Sequence, residues 1–206
     1  MNVFLYVLDT LADWEIGYLT AEINSGRYIK KSIERPKIVK VGKNLNTIKM
    51  MGGIEITPDI TVKDIQVQKN DLLVLPGADT WQTENNEEIF AFVKKNLGKD
   101  ITIAAICGAT IAMAYNGLLN EVKHTSENLD LLKMTCPNYT GEKNYYDVAA
   151  VTDNNLITAS GLAPLEFTYE IFKKMNIMES NTVEAWYNLF KTREGKYYFE
   201  LMNSIK

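Results

Sequence analysis

Short apolar runs alternate along the chain with stretches in which apolar residues recur at helical spacing. Residues 2–8 (NVFLYVL) are aliphatic, β-branched or aromatic almost throughout, which is typical of a strand buried on both faces. Residues 13–26 follow with apolar positions at roughly helical spacing, and Gly26 is a suitable helix end. The start of the chain therefore predicts a buried strand followed by a covering helix.

The same alternation continues as far as residue 175. The pattern predicts further strands at residues 37–41, 71–75, 101–106, 148–151 and 156–159, and further helices at residues 87–97, 109–119, 128–134 and 165–175. A tight hairpin at a sheet edge is predicted around Gly52-Gly53, which separates residues 49–51 from residues 54–57. Strands that alternate with helices indicate an α/β fold, with a largely parallel sheet covered by helices on both faces.

The C-terminal segment has a different character. From Thr182 onward the periodicity is helical, and the segment carries a cluster of aromatic side chains: Trp186, Tyr187, Phe190, Tyr197, Tyr198 and Phe199. So many aromatic side chains need burial, either on the chain's own core or in a subunit contact. We therefore expect an α/β domain over residues 1–176 and a helical extension over residues 177–206 that packs on the domain or on a partner subunit.

Length and composition exclude several classes of protein. The chain has 206 residues, 46% of them hydrophobic and 23% charged, which fits one packed domain with a small appendage. A net charge of −4, with lysines scattered among acids, disfavours nucleic-acid binding. The longest stretch of low charge, residues 101–116, is shorter than the ~20 residues that a membrane span requires, and residues 2–8 are too few for a signal-peptide core. Two cysteines are too few for a disulfide framework, so we expect a reducing, cytoplasmic location.

The segment around Cys107 carries the strongest chemical signal. A buried strand is predicted to end at Ile106 and a helix to begin just past Cys107, with the small residues Ala105 and Ala109 on either side. This layout resembles a nucleophile elbow, a turn too tight for bulky neighbours that presents its nucleophile at the carboxyl end of the sheet. Unpaired N–H groups at the start of the helix predict a lowered thiol pKa and a reactive thiolate. The alternative is a small buried cysteine that only fills space.

Two groups are candidates to move protons for this thiol. His124 is the only histidine and follows the helix after Cys107, where the chain can return to the top of the sheet; the alternative is a satisfied or surface histidine. Glu15 follows the first strand among apolar neighbours, where partial burial would raise its pKa and keep a proton available. Its alternative is an exposed acid in the first turn of a helix. Cys136 lacks such a setting and is interpreted as structural.

Backbone amides at the same sheet edge are candidates for an oxyanion hole. Pro76-Gly77-Ala78 ends a predicted strand there, so the N–H groups of Ala78 and Gly108 can hold an oxyanion with Gly77 supporting the turn. A plain strand-ending turn is the alternative. The sequence has no glycine-rich dinucleotide or phosphate loop, and one histidine with two dissimilar cysteines is a poor basis for a zinc site. We expect neither a metal nor an organic cofactor.

Several of these segments together resemble one known family. The segments are Glu15 after the first strand, Leu73-Val74-Leu75-Pro76-Gly77, Ala104-Ala105-Ile106-Cys107-Gly108, His124, and Leu156-Ile157-Thr158-Ala159-Ser160-Gly161 before a helix with Glu166-Phe167. Over roughly residues 2–175 they resemble the ThiJ/PfpI superfamily, also called the DJ-one superfamily. The resemblance implies a flavodoxin-like α/β sandwich related to class I glutamine amidotransferases, and a homodimer. It also implies that Cys107 is a nucleophile or an oxidation sensor whose sulfur is hydrogen-bonded by Glu15.

The chain departs from the family's pattern at three points. PfpI-type peptidases carry a histidine directly after the cysteine, where this chain has Gly108, and no His-x-Glu motif of the amidotransferase kind follows His124. Ala78 replaces the usual second glycine after Leu-Pro-Gly. The aromatic C-terminal segment resembles the extension of a bacterial subgroup described broadly as amidotransferase-like or peptidase-like.

Three hypotheses about function follow. The first is a cysteine-dependent hydrolase or lyase of a small carbonyl, amide, peptide or glycated substrate, in which Cys107 attacks and His124 or Glu15 moves protons. The second is an oxidative-stress sensor in which Cys107 becomes a sulfinate that Glu15 stabilises. The third is a non-catalytic, amidotransferase-like binding protein that uses the aromatic extension.

Overall fold

A seven-stranded sheet and a separate two-stranded hairpin make up the β-structure of residues 1–83 and 85–205, which the computed structural model describes. The strands are β1 (Asn2–Tyr6), β2 (Lys37–Gly42), β3 (Ile48–Lys49), β4 (Glu55–Ile56), β5 (Ile60–Thr61), β6 (Leu72–Leu75), β7 (Thr102–Ile106), β8 (Ala150–Asp153) and β9 (Leu156–Ala159). The helices are α1 (Asp13–Ser25), α2 (Glu87–Asn96), α3 (Gly108–Tyr115), α4 (Leu129–Thr135), α5 (Pro164–Met175), α6 (Ser180–Thr192) and α7 (Gly195–Ser204).

The order of the strands brings four loops to one edge of the sheet. The order is β5-β2-β1-β6-β7-β9-β8, and every pairing is parallel except that of β8 with β9. Because β1, β6, β7 and β9 are adjacent and parallel, the loops that follow them lie at the same edge. All residues of β6 and β7 are buried, as expected for uninterrupted apolar strands. The predicted flavodoxin-like α/β fold is confirmed.

The hairpin is present, but the prediction that it lies at the edge of the main sheet is wrong. Strands β3 and β4 pair only with each other, and that side of the main sheet ends with β5. Two hydrogen bonds tie the turn of the hairpin to the loop after β1: the Met51 N–H donates to the Leu11 carbonyl at 3.0 Å and the Gly52 N–H to Asp13 Oδ2 at 2.6 Å. The hairpin therefore belongs to the functional edge.

Helix α6 of the C-terminal extension packs on the α/β domain. The Trp186 side chain is fully buried, with its ring centroid 5.9 Å from that of Tyr18 in α1 and 5.3 Å from that of Phe172 in α5. Its indole Nε1–H donates to Glu22 Oε1 at 3.0 Å, and Arg27 also binds this buried carboxylate. No helix within the described ranges is long and apolar enough to cross a bilayer.

Candidate active site

Cys107 lies at the sharp turn between β7 and α3. Its backbone has φ 56° and ψ −129°, a conformation that a non-glycine residue adopts only under constraint and that costs about 1–3 kcal/mol. The surrounding structure holds it: the Cys107 N–H donates to the Ala159 carbonyl at 3.0 Å, and the Thr110 N–H donates to the Cys107 carbonyl at 2.9 Å. This strained strand-to-helix turn has the geometry of a nucleophile elbow, with the half-buried thiol at the sheet edge.

Two glycines allow acidic side chains to approach the thiol. A Cβ on Gly77 would lie 2.6 Å from Glu15 Oε1 and 2.8 Å from Cys107 Cβ. A Cβ on Gly161 would lie 2.6 Å from Cys107 Sγ and 2.8 Å from Glu127 Oε1. All four distances are shorter than the contacts that real Cβ atoms make, so any larger residue would push these groups apart. The structure thus brings together Cys107, Glu15 and Glu127 across a space that only glycine leaves open.

Glu15 is fully buried in the first turn of α1. Its Oε2 accepts a hydrogen bond of 2.6 Å from the Gly77 N–H. Among the described residues, its Oε1 has no hydrogen-bond partner of satisfactory geometry, although the carboxyl is close enough to the Cys107 thiol for the two to interact. Burial raises the pKa of Glu15 to about 6, against the opposing effects of the Gly77 N–H and the thiol. The predicted raised pKa therefore agrees with the structure.

The predicted lowering of the thiol pKa is not what the site produces. Burial raises the pKa of Cys107, and the nearby carboxylates of Glu15 and Glu127 raise it further. The Gly108 N–H at the start of α3 lowers the pKa of the thiol, as predicted, but burial and the two carboxylates outweigh it. Desolvation and two acids that come from other parts of the chain, rather than the helix N-terminus, therefore set the thiol pKa. A thiol in this setting needs a base to take its proton as it reacts.

Glu127 is the member of the site that the sequence analysis missed. One of its oxygens, Oε1, accepts a short hydrogen bond from the Gly161 N–H, and Oε2 accepts one of 3.1 Å from Ser160 Oγ. These bonds tie the loop before α4 to the loop after β9. The only signal in the sequence was the position of Glu127, three residues after His124 in a loop near the same edge. This signal was too weak to identify Glu127 as a site residue.

The structure does not bring His124 to the thiol, which corrects the hypothesis that this histidine serves Cys107. The ring is buried; its Nδ1 is 2.8 Å from the Val122 carbonyl and its Nε2 is 2.7 Å from the Tyr139 hydroxyl. Both nitrogens are therefore occupied, and burial lowers the pKa of the imidazole. His124 is a satisfied core residue. Cys136 is buried and, like Cys107, is a free cysteine; its Sγ is 3.5 Å from the Ile111 carbonyl.

A cavity of about 330 Å³ opens above Cys107. The residues that line it are Ala12, Trp14, Glu15, Met51, Gly77, Ala78, Asp79, Trp81, Gln82, Cys107, Gly108 and Ile111. A larger cavity of about 580 Å³ shares Trp81 and Gln82 with it but does not include Cys107. Within the described chain, no group of three or more histidines, cysteines and acids is arranged to hold a metal ion.

Ala78 and Gly108, whose N–H groups are the candidates for an oxyanion hole, both line the cavity above Cys107. The Ala78 carbonyl oxygen is 3.0 Å and the Ala78 nitrogen 3.5 Å from the position that a Cβ on Gly108 would occupy, and the Ala78 N–H makes no hydrogen bond to the described residues. Ala78 has extended backbone angles, φ −163° and ψ 154°, so the position does not require the usual glycine. The Gly108 N–H acts to lower the pKa of the Cys107 thiol.

Comparison with known proteins identifies close relatives over the full chain. A sequence model of the DJ-1/PfpI family matches residues 1–174. "Uncharacterized protease YoaZ" of Bacillus subtilis (strain 168) is 48% identical over 204 residues, covering 99% of this chain and 97% of that protein. "Uncharacterized protease YdeA" of the same strain is 32% identical over 194 residues, covering 94% and 91%. The crystal structure of a thiJ/pfpI family protein from Bacillus anthracis superposes with a TM-score of 0.96 at 48% identity, covering 100% of this chain and 98% of that chain.

Proposed function

The chain belongs to the DJ-1/PfpI family, and on that premise we propose that it is a cysteine-dependent hydrolase in which Cys107 attacks a substrate carbonyl and Glu15 carries the proton. The observation that carries the proposal is the fully buried carboxyl of Glu15, which lies beside the thiol in the wall of the same cavity and whose Oε1 has no other partner among the described residues. A buried carboxylate oxygen without a partner is costly, so its retention here fits a proton-transfer role.

The geometry supports a two-step acyl transfer. Sγ forms a bond to the carbonyl carbon while the S–H proton passes to the Glu15 carboxylate and the C=O π pair moves to the oxygen. The N–H groups of Ala78 and Gly108 stabilise the resulting oxyanion. When this species collapses, the bond to the leaving group breaks and Glu15 returns the proton to the leaving atom. Water then attacks the carbonyl carbon of the thioester and gives one proton to Glu15. The C–S bond breaks, the acid is released, and Glu15 returns this proton to sulfur.

The pKa directions fit this division of roles. With a pKa of about 6, Glu15 is largely ionised at neutral pH, while burial and the two acids keep the Cys107 thiol protonated. The pair is therefore ready as carboxylate and thiol, and the proton moves only when a carbonyl is in place. An amide or ester is the substrate class that we favour, because the names of two relatives include the word protease. A cytoplasmic location, where thiols stay reduced, fits this role.

The test is hydrolysis of a panel of fluorogenic amides and esters by the wild type, by Cys107→Ser, by Glu15→Gln and by Cys136→Ser as the matched cysteine control. We expect Cys107→Ser and Glu15→Gln to lose at least about 100-fold in kcat/KM, since a positioned proton carrier contributes about that much, whereas Cys136→Ser retains activity. Full turnover by Cys107→Ser on any substrate of the panel would refute the proposal.

The oxidation-sensor hypothesis is the second candidate, because the same unpaired Oε1 can donate a hydrogen bond to a sulfinate oxygen when Glu15 is protonated. The raised pKa of Cys107 weighs against it, since peroxide reacts with the thiolate. Intact-mass analysis after mild peroxide distinguishes the two: the sensor requires selective oxidation of Cys107 that Glu15→Gln weakens.

A further inference from the structure

The charged residues that line the cavity above Cys107 are both acidic. They are Glu15, at the base beside the thiol, and Asp79, which is exposed to solvent. No lysine, arginine or histidine of the described residues lines this cavity. Glu127 adds a third carboxylate next to the sulfur. The cavity is therefore a region of negative potential in which a second anion would be repelled.

Asp79 is held in place by its backbone. Ala78 precedes a short 3-10 turn formed by Asp79–Trp81. The hydroxyl oxygen of Thr10 accepts hydrogen bonds from the N–H groups of Asp79 at 2.9 Å and of Thr80 at 3.2 Å. Thr10 itself has φ 63°, an uncommon conformation for a β-branched residue, so the surrounding structure must hold Thr10 in place. The turn is thus fixed before any ligand arrives.

The Asp79 carboxylate makes no hydrogen bond or ion pair with the described part of the chain, although most acids at this edge do. For comparison, Asp9 Oδ1 accepts from the Lys49 N–H and Asp13 Oδ2 from the Gly52 N–H. Asp79 directly follows Ala78, the residue proposed to hold the carbonyl oxygen, and both residues line the cavity. A positive group bound by Asp79 would therefore lie near the reacting carbonyl.

The cavity walls suit an organic cation. Trp14 lines the cavity and is 55% exposed, so it offers an accessible indole, whereas Trp81, which also lines the cavity, is buried against Tyr6 and Phe90. Indole faces attract ammonium and guanidinium groups. Glu15, fully buried and with one oxygen unpaired, adds negative charge from below.

From this arrangement we propose that the cavity selects substrates that carry an ammonium or guanidinium group beside the reacting carbonyl, that Asp79 is the residue that recognises this cation, and that carboxylated or phosphorylated substrates are rejected. The statement about substrates rests on the proposed hydrolase function. The charge selectivity of the cavity does not, because it concerns access to the sulfur alone.

The test measures that access without requiring turnover. Cys136→Ser protein, whose single thiol is Cys107, is reacted with a cationic methanethiosulfonate (trimethylammonium-ethyl) and an anionic one (sulfonato-ethyl), and labelling is followed by intact mass. The rate of each reagent is divided by its rate with 2-mercaptoethanol, which corrects for the intrinsic reactivity of the reagent. The pKa of the Cys107 thiol affects both reagents equally, so it cancels in the ratio of the cationic to the anionic rate. We expect the cationic reagent to be favoured roughly tenfold or more, and less so at high salt.

Asp79→Asn identifies the residue responsible, with Asp130→Asn on the exposed start of α4 as the matched control. We expect Asp79→Asn to reduce the normalised ratio several-fold and Asp130→Asn to leave it unchanged. A ratio near one in the parent protein, or a ratio that Asp79→Asn does not alter, overturns the proposal.

If the ratio behaves as expected but no amide or ester is hydrolysed, the hydrolase proposal fails and the cation site stands. If hydrolysis occurs, the kcat/KM for a lysyl amide should exceed that for the matching glutamyl amide, and equal values overturn the assignment of substrate class.

Discussion

Replacing Glu15 by glutamine removes a charge that folding forces into the interior. Burial holds the pKa of this carboxyl at about 6 in the folded chain, above the ordinary value of 4.5. Below pH 4.5 the carboxyl is protonated in both the folded and the unfolded chain, and the stability that the protonated form provides is fully present. As the pH rises from 4.5 through 6, the unfolded chain loses the proton first, so the folded state loses stability.

The structure sets the size of this loss. A difference between 4.5 and about 6 corresponds to about 2 kcal/mol, because each pKa unit is worth ~1.4 kcal/mol. Glu15→Gln has no proton to lose, and its amide oxygen can still accept from the Gly77 N–H. We therefore expect the free energy of unfolding of Glu15→Gln, relative to wild type, to rise by about 2 kcal/mol between about pH 4.5 and pH 8.

Urea denaturation followed by tryptophan fluorescence measures this difference at a series of pH values. Glu55→Gln, an exposed acid of β4, is the matched control, because its replacement removes no buried charge. A difference between Glu15→Gln and wild type that is the same at about pH 4.5 and pH 8 would refute the argument that burial raises the pKa of Glu15. The same variant should lose hydrolysis while it gains stability at neutral pH, which is the trade-off expected of a functional charge.

Three further changes test the remaining parts of the structure. His124→Phe leaves the Tyr139 hydroxyl without its partner and should lower the free energy of unfolding by about 1–3 kcal/mol in urea, while the pH profile of Cys107 alkylation stays that of wild type. Gly161→Ala places a methyl group against Sγ and should slow alkylation of Cys107 by iodoacetamide and destabilise the fold by about 1–3 kcal/mol; an unchanged rate would contradict the close packing. Trp186→Phe removes the indole donor to the buried carboxylate in α1 and should cost about 1–3 kcal/mol, so an unaltered urea midpoint would show that this bond does not anchor α6.

The parts of the fold that were predictable are those decided by local patterns. Residues 72–75 and 103–106 are apolar without interruption, as expected for strands buried on both faces, and such runs are visible in the sequence. The place of the β3–β4 hairpin was not visible, since it depends on the bond from Gly52 to a side chain of α1 far along the chain. Hairpin formation is a local property, whereas docking is not.

The same distinction explains which half of the site was predictable. Cys107 was identifiable because the switch from strand to helix, and the small residues it requires, are contiguous in sequence. Glu127 was not, because its role consists of holding Gly161, which lies 34 residues away. This missing acid also explains the wrong sign of the thiol pKa: a helix N-terminus contributes about 0.3–1 kcal/mol, whereas burial and two carboxylates contribute more in the opposite direction. The local turn presents the sulfur, but burial and distant acids decide its charge. Under the proposed function, reactivity therefore depends on Glu15 as the proton acceptor rather than on a preformed thiolate.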